Sequence, residues 1–391
     1  MKININSLKI APKHFDFKLC VYGPLSDELV KWVKFWDIPT NIDGQFTNIL
    51  IQSSHKLCDM FYDIKIYEYI DGFSPNLNKH LHLGHLSNFV LAKAFQKMKV
   101  GKKFIAIFGD TLTGNVSKDN ALDMYQHYCQ LFDYKIDKSF FASDMKLSDF
   151  SFLEAGTEEY HGTKIFNIDN EKVVAIKSDG LTTYMYQDIA LAQELNASTL
   201  YMTGFEQDQH FKNLKKLYKQ IDHIGLGLVY LNNKKMSSSE GNIIFINDFI
   251  NALKEKFDDY KLIWNILAGV ILKSEPESIK KIDTNVITNV KLSSGLYVSY
   301  TMAKMNSAGI KLIAHLEYLS KDLEFKALKA KTVLKPNILF EGIIEHCKKI
   351  NILYETHHIK DNETNYKIFQ DLTSDLVLAF SEIGLFPIEK V

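Results

Sequence analysis

The sequence predicts an α/β fold: a doubly wound parallel sheet followed by an all-α C-terminal domain. Three observations carry that prediction. Strand-like runs alternate with helix-period segments between residues 64 and 232, no proline lies between Pro75 and Pro276, and beyond Phe249 long helical segments replace the strand signal. Alternation of this kind builds a parallel sheet because each parallel connection needs a crossover, usually a helix.

Taken in order, IKIYEYI (64–70) and FIAIFGD (104–110) are short β-branched and aromatic runs that end in turn residues, and both read as strands. Between them Leu86, Phe89, Val90, Ala94 and Met98 recur at helical spacing, which completes a βαβ unit. VVAIKSDG (173–180), TLYMTG (199–204) and LGLVYLN (226–232) repeat the strand signal, with helical stretches at 188–195 and 211–221. FINALKEKF, KLIWNILAGVIL and the segment 294–319 then read as helices, and no strand-period run is convincing among them. The expected division is a small N-terminal module over 1–62, an α/β domain over 63–259 and a helical domain over 260–391.

A chain of 391 residues, 46% hydrophobic and 24% charged, matches a globular protein, and no run approaches the ~20 apolar residues of a membrane span. The polar N-terminal stretch argues against a secretory signal, so a cytoplasmic address is expected. Cys20, Cys58, Cys129 and Cys347 form no CxxC pair and support neither a zinc ribbon nor a disulfide framework. The 46 basic and 47 acidic residues nearly cancel, but every one of the 46 is lysine; an even split among the charged types would supply roughly 24 arginines.

Two motifs carry chemistry. After the first strand of the α/β domain, His82 and His85 flank Leu83 and Gly84 at the expected start of a helix, where amides, the helix dipole and a small residue suit a polyphosphate. Taken alone, such a pair also fits two surface histidines. After the last expected strand of the same sheet, Lys235, Met236, Ser237, Ser238 and Ser239 form a polar loop whose lysine can reach phosphate oxygens and offset charge on leaving pyrophosphate.

HLGH and KMSSS resemble the HIGH and KMSKS signatures of the class I aminoacyl-tRNA synthetases, which implies a Rossmann-like catalytic domain. Within that class the chain resembles the arginyl-tRNA synthetases, through SPNLNKHLHLGHL (74–86), KSDGLTTYMYQDIALA (177–192), GFEQDQHFKNL (204–214), KMSSSEGN (235–242) and SSGLYVSYTMAKMNS (293–307). The resemblance implies ATP with Mg²⁺, arginine and tRNA(Arg) as substrates, a monomer, and no metal ligand among the protein's own residues. It implies that His82, Gly84 and His85 bind the ATP phosphates while Lys235, Met236, Ser237 and Ser238 close over them. Ser74 and Asn76 would hold the amino acid's backbone groups, and Tyr184, Asp188 and Gln207 its guanidinium. Because Ser239 replaces the signature's usual final lysine, Lys79, just ahead of HLGH, is expected to contact ATP instead.

The chain departs from the pattern in places. At 132–141 the family presents an acid that contacts the guanidinium; here Lys138 stands beside Asp137. Both ends are short for the family, so two other readings stay open: a shortened paralogue that activates arginine or an analogue for a non-translational product, and a silent RNA-binding relative. Lys212, Lys215, Lys216 and Lys219, and Lys321, Lys326, Lys329, Lys331 and Lys335, could meet RNA phosphates, though a solvated charged face explains either cluster alone. Where the family pattern has arginine, this chain has Ser87, Gln187, Ser239 and Lys304. Codon drift would more readily put lysine at each, so the loss reads as a property of the whole chain.

Overall fold

The computed structural model describes all residues except 1, 5–7, 11–18, 52–56, 62–63, 77–80, 111–117, 148–156, 161, 170, 233, 236–243 and 360–361. Two compact units form: residues 1–65 with 261–275 and 285–391, and residues 66–260 with 276–284.

The second unit is built on a five-stranded, fully parallel sheet. Its elements in chain order begin with strand β1 (Tyr67–Phe73), helix α1 (Leu83–Lys97), β2 (Gly101–Phe108), α2 (Lys118–Phe132) and β3 (Lys138–Phe141). An antiparallel excursion follows, β4 (Thr157–Tyr160), β5 (Thr163–Ile168) and β6 (Glu171–Ile176). The chain returns through α3 (Tyr184–Leu195), β7 (Thr199–Gly204), α4 (Asp208–Leu217) and β8 (Ile221–Leu226). The sheet order is β8-β7-β1-β2-β3. The winding reverses between β1 and β7, and at such a switch point the loops leaving the strand ends part and open a crevice.

α1 is amphipathic only weakly because the sheet covers one side and neighbouring elements, α2 among them, cover others: Leu86, Phe89, Val90, Leu91 and Phe95 are all buried. α3 starts where Thr183 caps the amide of Tyr186 at 3.4 Å while donating its hydroxyl proton to the Val174 carbonyl at 2.7 Å. It stops at Asn196, whose left-handed backbone closes the helix end.

The structure corrects several strand assignments. The 173–180 run belongs to the antiparallel excursion, β6 pairing with β5, and not to the parallel sheet. The outer parallel strand is β8, which starts five residues before the expected 226–232 strand and ends at its first residue, and α4 ends at Leu217 to leave room for it. The later run instead yields β9 (Val229–Leu231), in a small sheet with β10 (Lys234–Lys235) and β11 (Lys280–Ile282). That last strand lies in the region expected to be all helix; three residues are too few to show a period. Helix α5 (Ile246–Lys254) lies between β10 and β11.

In the first unit a four-stranded antiparallel sheet (Lys9–Ile10, Leu19–Tyr22, Phe46–Ile49, Thr40–Asp43) packs on the helix Asp27–Phe35. Trp32 is fully buried there and donates its indole N–H to the Met60 carbonyl at 3.0 Å. The helices Tyr260–Leu272, Ser294–Ser307, Lys321–Val333, Asn337–Thr356 and Glu363–Ile383 build most of the remainder. Asn265, 0% exposed, donates to the Phe386 carbonyl at 2.8 Å and accepts from the Phe386 amide at 3.0 Å, which pins the C-terminal segment. No helix among the described residues is long and apolar enough to cross a membrane.

Candidate active site

At the switch point lies a cavity of about 450 Å³, and its lining includes Ser74, Asn76, His82, Gly84, His85, Tyr184, Asp188 and Gln207. Every expected site residue whose side chain is described is therefore in one place. A larger open groove of about 830 Å³ runs along Gly101 and Lys138, at the opposite ends of β2 and β3, and holds none of them.

The two histidines form a reciprocal cap on α1. His82 Nδ1 accepts from the Gly84 amide at 3.0 Å, and His85 Nδ1 accepts from the His82 amide at 3.1 Å. A neutral ring whose Nδ1 accepts must carry its proton on Nε2, so the cap sets both rings as Nε2–H donors. The ring centroids are 4.1 Å apart, so the two donors act on one region. Gly84 makes the arrangement possible: a Cβ there would lie 2.7 Å from Cε1 of His82.

Backbone pairing brings the second motif to the first. The amide of Leu83 donates to the Ile244 carbonyl at 3.1 Å, and that of Ile246 donates to the Leu81 carbonyl at 3.1 Å, so the chain leaving KMSSSEGN is laced to HLGH. On the near side, Lys235 pairs with Tyr230 in the small sheet. Lys79, Met236, Ser237 and Ser238 lie outside the described residues, as does Ser239.

The other end of the cavity is acidic. Asp71, Asp188 and Glu206 line it, and no lysine does among the described residues. Asp71 stands in β1, two residues before its end, is 1% exposed, and accepts the Ser74 hydroxyl at 2.7 Å and the Phe73 amide at 3.2 Å. Burial pushes its pKa up to about 7; the Ser74 and Phe73 bonds oppose the shift and neighbouring Asp188 adds to it. Asp188 projects from α3, with its Oδ2 bonded to His210 Nε2 at 2.6 Å. Tyr201, fully buried, has a hydroxyl without a hydrogen-bond partner among the described residues. Tyr184, half exposed at the first turn of α3, and Gln207 stand at the rim. Asn76 bridges to Gly109 at the end of β2, where any side chain on Gly109 would collide with the Asn76 amide.

Asp71, Tyr201 and His210 escaped the sequence reading. Beside Asp188 the cavity's carboxylates are Asp71 and Glu206; Asp137 is engaged with the Phe104 amide at 2.9 Å and Lys138 with Glu194 at 2.9 Å, and neither lines the cavity. Asp71 follows a strand in the sequence and was legible as a strand end, but nothing local marks it as buried. His210 stands in the GFEQDQHFKNL segment, which was the only signal for it. His223 supports α4 from below by stacking on Phe211 at 4.4 Å, and burial lowers its pKa to about 4 while Asp208 opposes that shift.

Asp71 makes a testable contribution to stability. Its pKa is raised on folding from 3.8 to about 7, so between those values the native state holds more proton than the unfolded state and stability falls as pH rises. An Asp71→Asn variant is expected to gain on the wild type from pH 4 to pH 8, by roughly 2–4 kcal/mol at the upper end. Denaturant unfolding at the two pH values checks it, and a constant difference across that range would contradict it.

The lysine clusters are largely engaged. Lys321, Lys326, Lys331 and Lys335 pair with Glu324, Glu345, Glu382 and Glu275 at 2.7–3.0 Å, and Lys329 donates to the Leu8 carbonyl at 3.0 Å. On α4, Lys215 and Lys216 pair with Asp222 and Asp169.

No family model matches the chain. A curated arginine–tRNA ligase of Lactobacillus johnsonii is 24% identical over 462 aligned positions, covering 86% of this chain and 82% of that one. The chain is thus similar to arginine–tRNA ligases, at low identity. One from Clostridium botulinum is 28% identical over 254 positions, 52% of this chain and 45% of its own length. Among solved structures, Thermus thermophilus arginyl-tRNA synthetase superposes with a TM-score of 0.68 at 14% identity, over 98% of this chain and 96% of that one. At that identity the likeness shows the fold.

Proposed function

We propose that the chain is an arginine–tRNA ligase, which activates arginine with ATP and transfers it to the 3′ end of tRNA(Arg). The observation that carries this reading is a single cavity with two paired N–H donors at one end and, at the other, the buried Asp71 carboxyl beside the part-buried Asp188. It suits a molecule that is cationic at one end and reacts with a polyphosphate at the other. The arginine-tRNA ligases similar to this chain support the substrate.

In this reading Asp188 and Asp71 receive the guanidinium, since a carboxylate is the fork partner of a planar cation. Asn76 orients the amino acid's α-carboxylate, which attacks the α-phosphorus of ATP as pyrophosphate leaves. His82 and His85 donate Nε2–H to the oxygens that gain charge, and Lys235 with Met236, Ser237 and Ser238, assisted by Lys79, would bind the same phosphates. The tRNA 3′-terminal hydroxyl then attacks the arginyl carbonyl and AMP departs. Proximity and fixed dipoles supply the rate. Mg²⁺ would arrive on the ATP phosphates, as it usually does where it is bound mainly through substrate phosphates.

Pyrophosphate exchange with arginine, with and without tRNA, followed by tRNA charging, tests the reading. Exchange and charging are expected; exchange without charging would favour the shortened paralogue, and no exchange would end both.

His210 acts through Asp188 as a positioning residue. His210→Ala is expected to raise KM for arginine roughly tenfold, the worth of one charge-assisted hydrogen bond, with kcat little changed. His210→Gln, which keeps an N–H, should recover most of the loss. Equal losses in both variants, or an equal rise in KM for ATP, would show a merely structural role.

A further inference from the structure

All 46 basic residues are lysines. If even one basic residue in ten were arginine, a chain with this many would lack it in roughly one case in a hundred. Codon drift removes arginine where the exchange costs little and spares it where lysine serves badly. The structure holds lysines at both kinds of place.

Lys93 on α1 is 1% exposed, donates to the Phe132 carbonyl at 2.7 Å and lies 3.7 Å from Asp133. Burial lowers its pKa to about 7, whereas a guanidinium would keep its charge there. Three more lysines stand over rings, where a planar guanidinium stacks and an ammonium does not. Lys254 is 4.0 Å from the Tyr260 ring centre, Lys304 4.1 Å from that of Tyr354 and Lys138 4.2 Å from that of Phe140. Lys331 and Lys335, largely covered, meet Glu382 and Glu275 through one nitrogen where a fork could make two bonds. Arginine is thus missing also from the positions that would retain it, so the exclusion acts on synthesis of the chain and not on any one site.

We propose that this chain is a rescue enzyme: ribosomes complete it without drawing on arginyl-tRNA, so it can refill that pool after the pool has collapsed. The inference rests on the arginine–tRNA ligase reading, and its tests are chosen to fail separately from it.

The first test asks whether lysine is held at a cost. Lys254→Arg and Lys304→Arg, with Lys93→Arg beside them in case the buried site does not accept the larger group, should raise the melting temperature on the order of 1 °C each. If neither of the first two does, lysine is what the fold prefers and the proposal is overturned. The second test uses cells whose resident arginyl-tRNA supply is shut off before the gene is induced. The full chain should restore tRNA(Arg) charging. A variant with the exposed changes Lys256→Arg, Lys348→Arg and Lys367→Arg should not, although it charges as well as the wild type when purified from replete cells. Recovery by both, or by neither, overturns the proposal. If the purified wild type does not charge tRNA(Arg) at all, the ligase reading has failed; if it charges but does not rescue, only this inference has.

Discussion

An Asp188→Asn variant is expected to lose roughly 10²–10³-fold in kcat/KM for arginine in pyrophosphate exchange, the cost of removing the charged partner of a guanidinium in a part-buried site. The change is nearly isosteric, so packing on α3 is kept. What changes is the chemistry at the acidic end of the cavity. His210 already occupies Oδ2 at 2.6 Å, which leaves Oδ1 of the charged carboxylate to meet the substrate. The amide has no charge and presents N–H groups to a ligand that is itself all donors. KM for ATP should stay within about twofold of wild type, because the His82 and His85 cap lies at the other end of the site. A loss below tenfold would place the guanidinium elsewhere, with Asp71 and Glu206 the remaining acids of the cavity.

Gly84→Ala is expected to act on the opposite end and on the other kinetic constant. The new Cβ would sit 2.7 Å from Cε1 and 2.8 Å from Nδ1 of His82, so the ring must swing away from the Gly84 amide it now caps. A lost cap costs helix α1 about 1 kcal/mol. The larger effect falls on catalysis: with the His82 Nε2–H displaced, kcat should fall about 10²-fold, as when one preorganised donor is removed. KM for arginine should change less than about threefold, since no acid at the far end moves. Wild-type kcat in this variant would mean that His82 does not face the reacting phosphate.

Both outcomes turn on a site only partly legible in the sequence. The unit β1–α1–β2 was readable because helix and strand periods are local properties, carried by Phe89, Val90 and Ala94 in one case and by Ile105 and Ile107 in the other. β3 was hidden because KSFF alternates too briefly, and β6 was assigned to the wrong sheet. A run such as VVAI fits an antiparallel pair with Phe166 and Ile165 as well as a parallel one, and only the partner decides. The same limit applies at the site. Asp188 could be named from its segment, but its bond to His210 spans 22 positions of chain, and no periodicity links them.

By itself the sequence determined which residues are at hand: an HLGH at a helix start, a KMSSS loop, an acid at 188, and a chain wholly without arginine. Tertiary structure alone decided which of them meet. It laced residues 244–246 to 81–83, buried Asp71 within β1 until its carboxyl titrates near neutrality, and set both histidines as Nε2–H donors. The physical reason is that desolvation and hydrogen-bond partnership depend on what surrounds a group in space, and a linear pattern carries only what lies within a few residues of it.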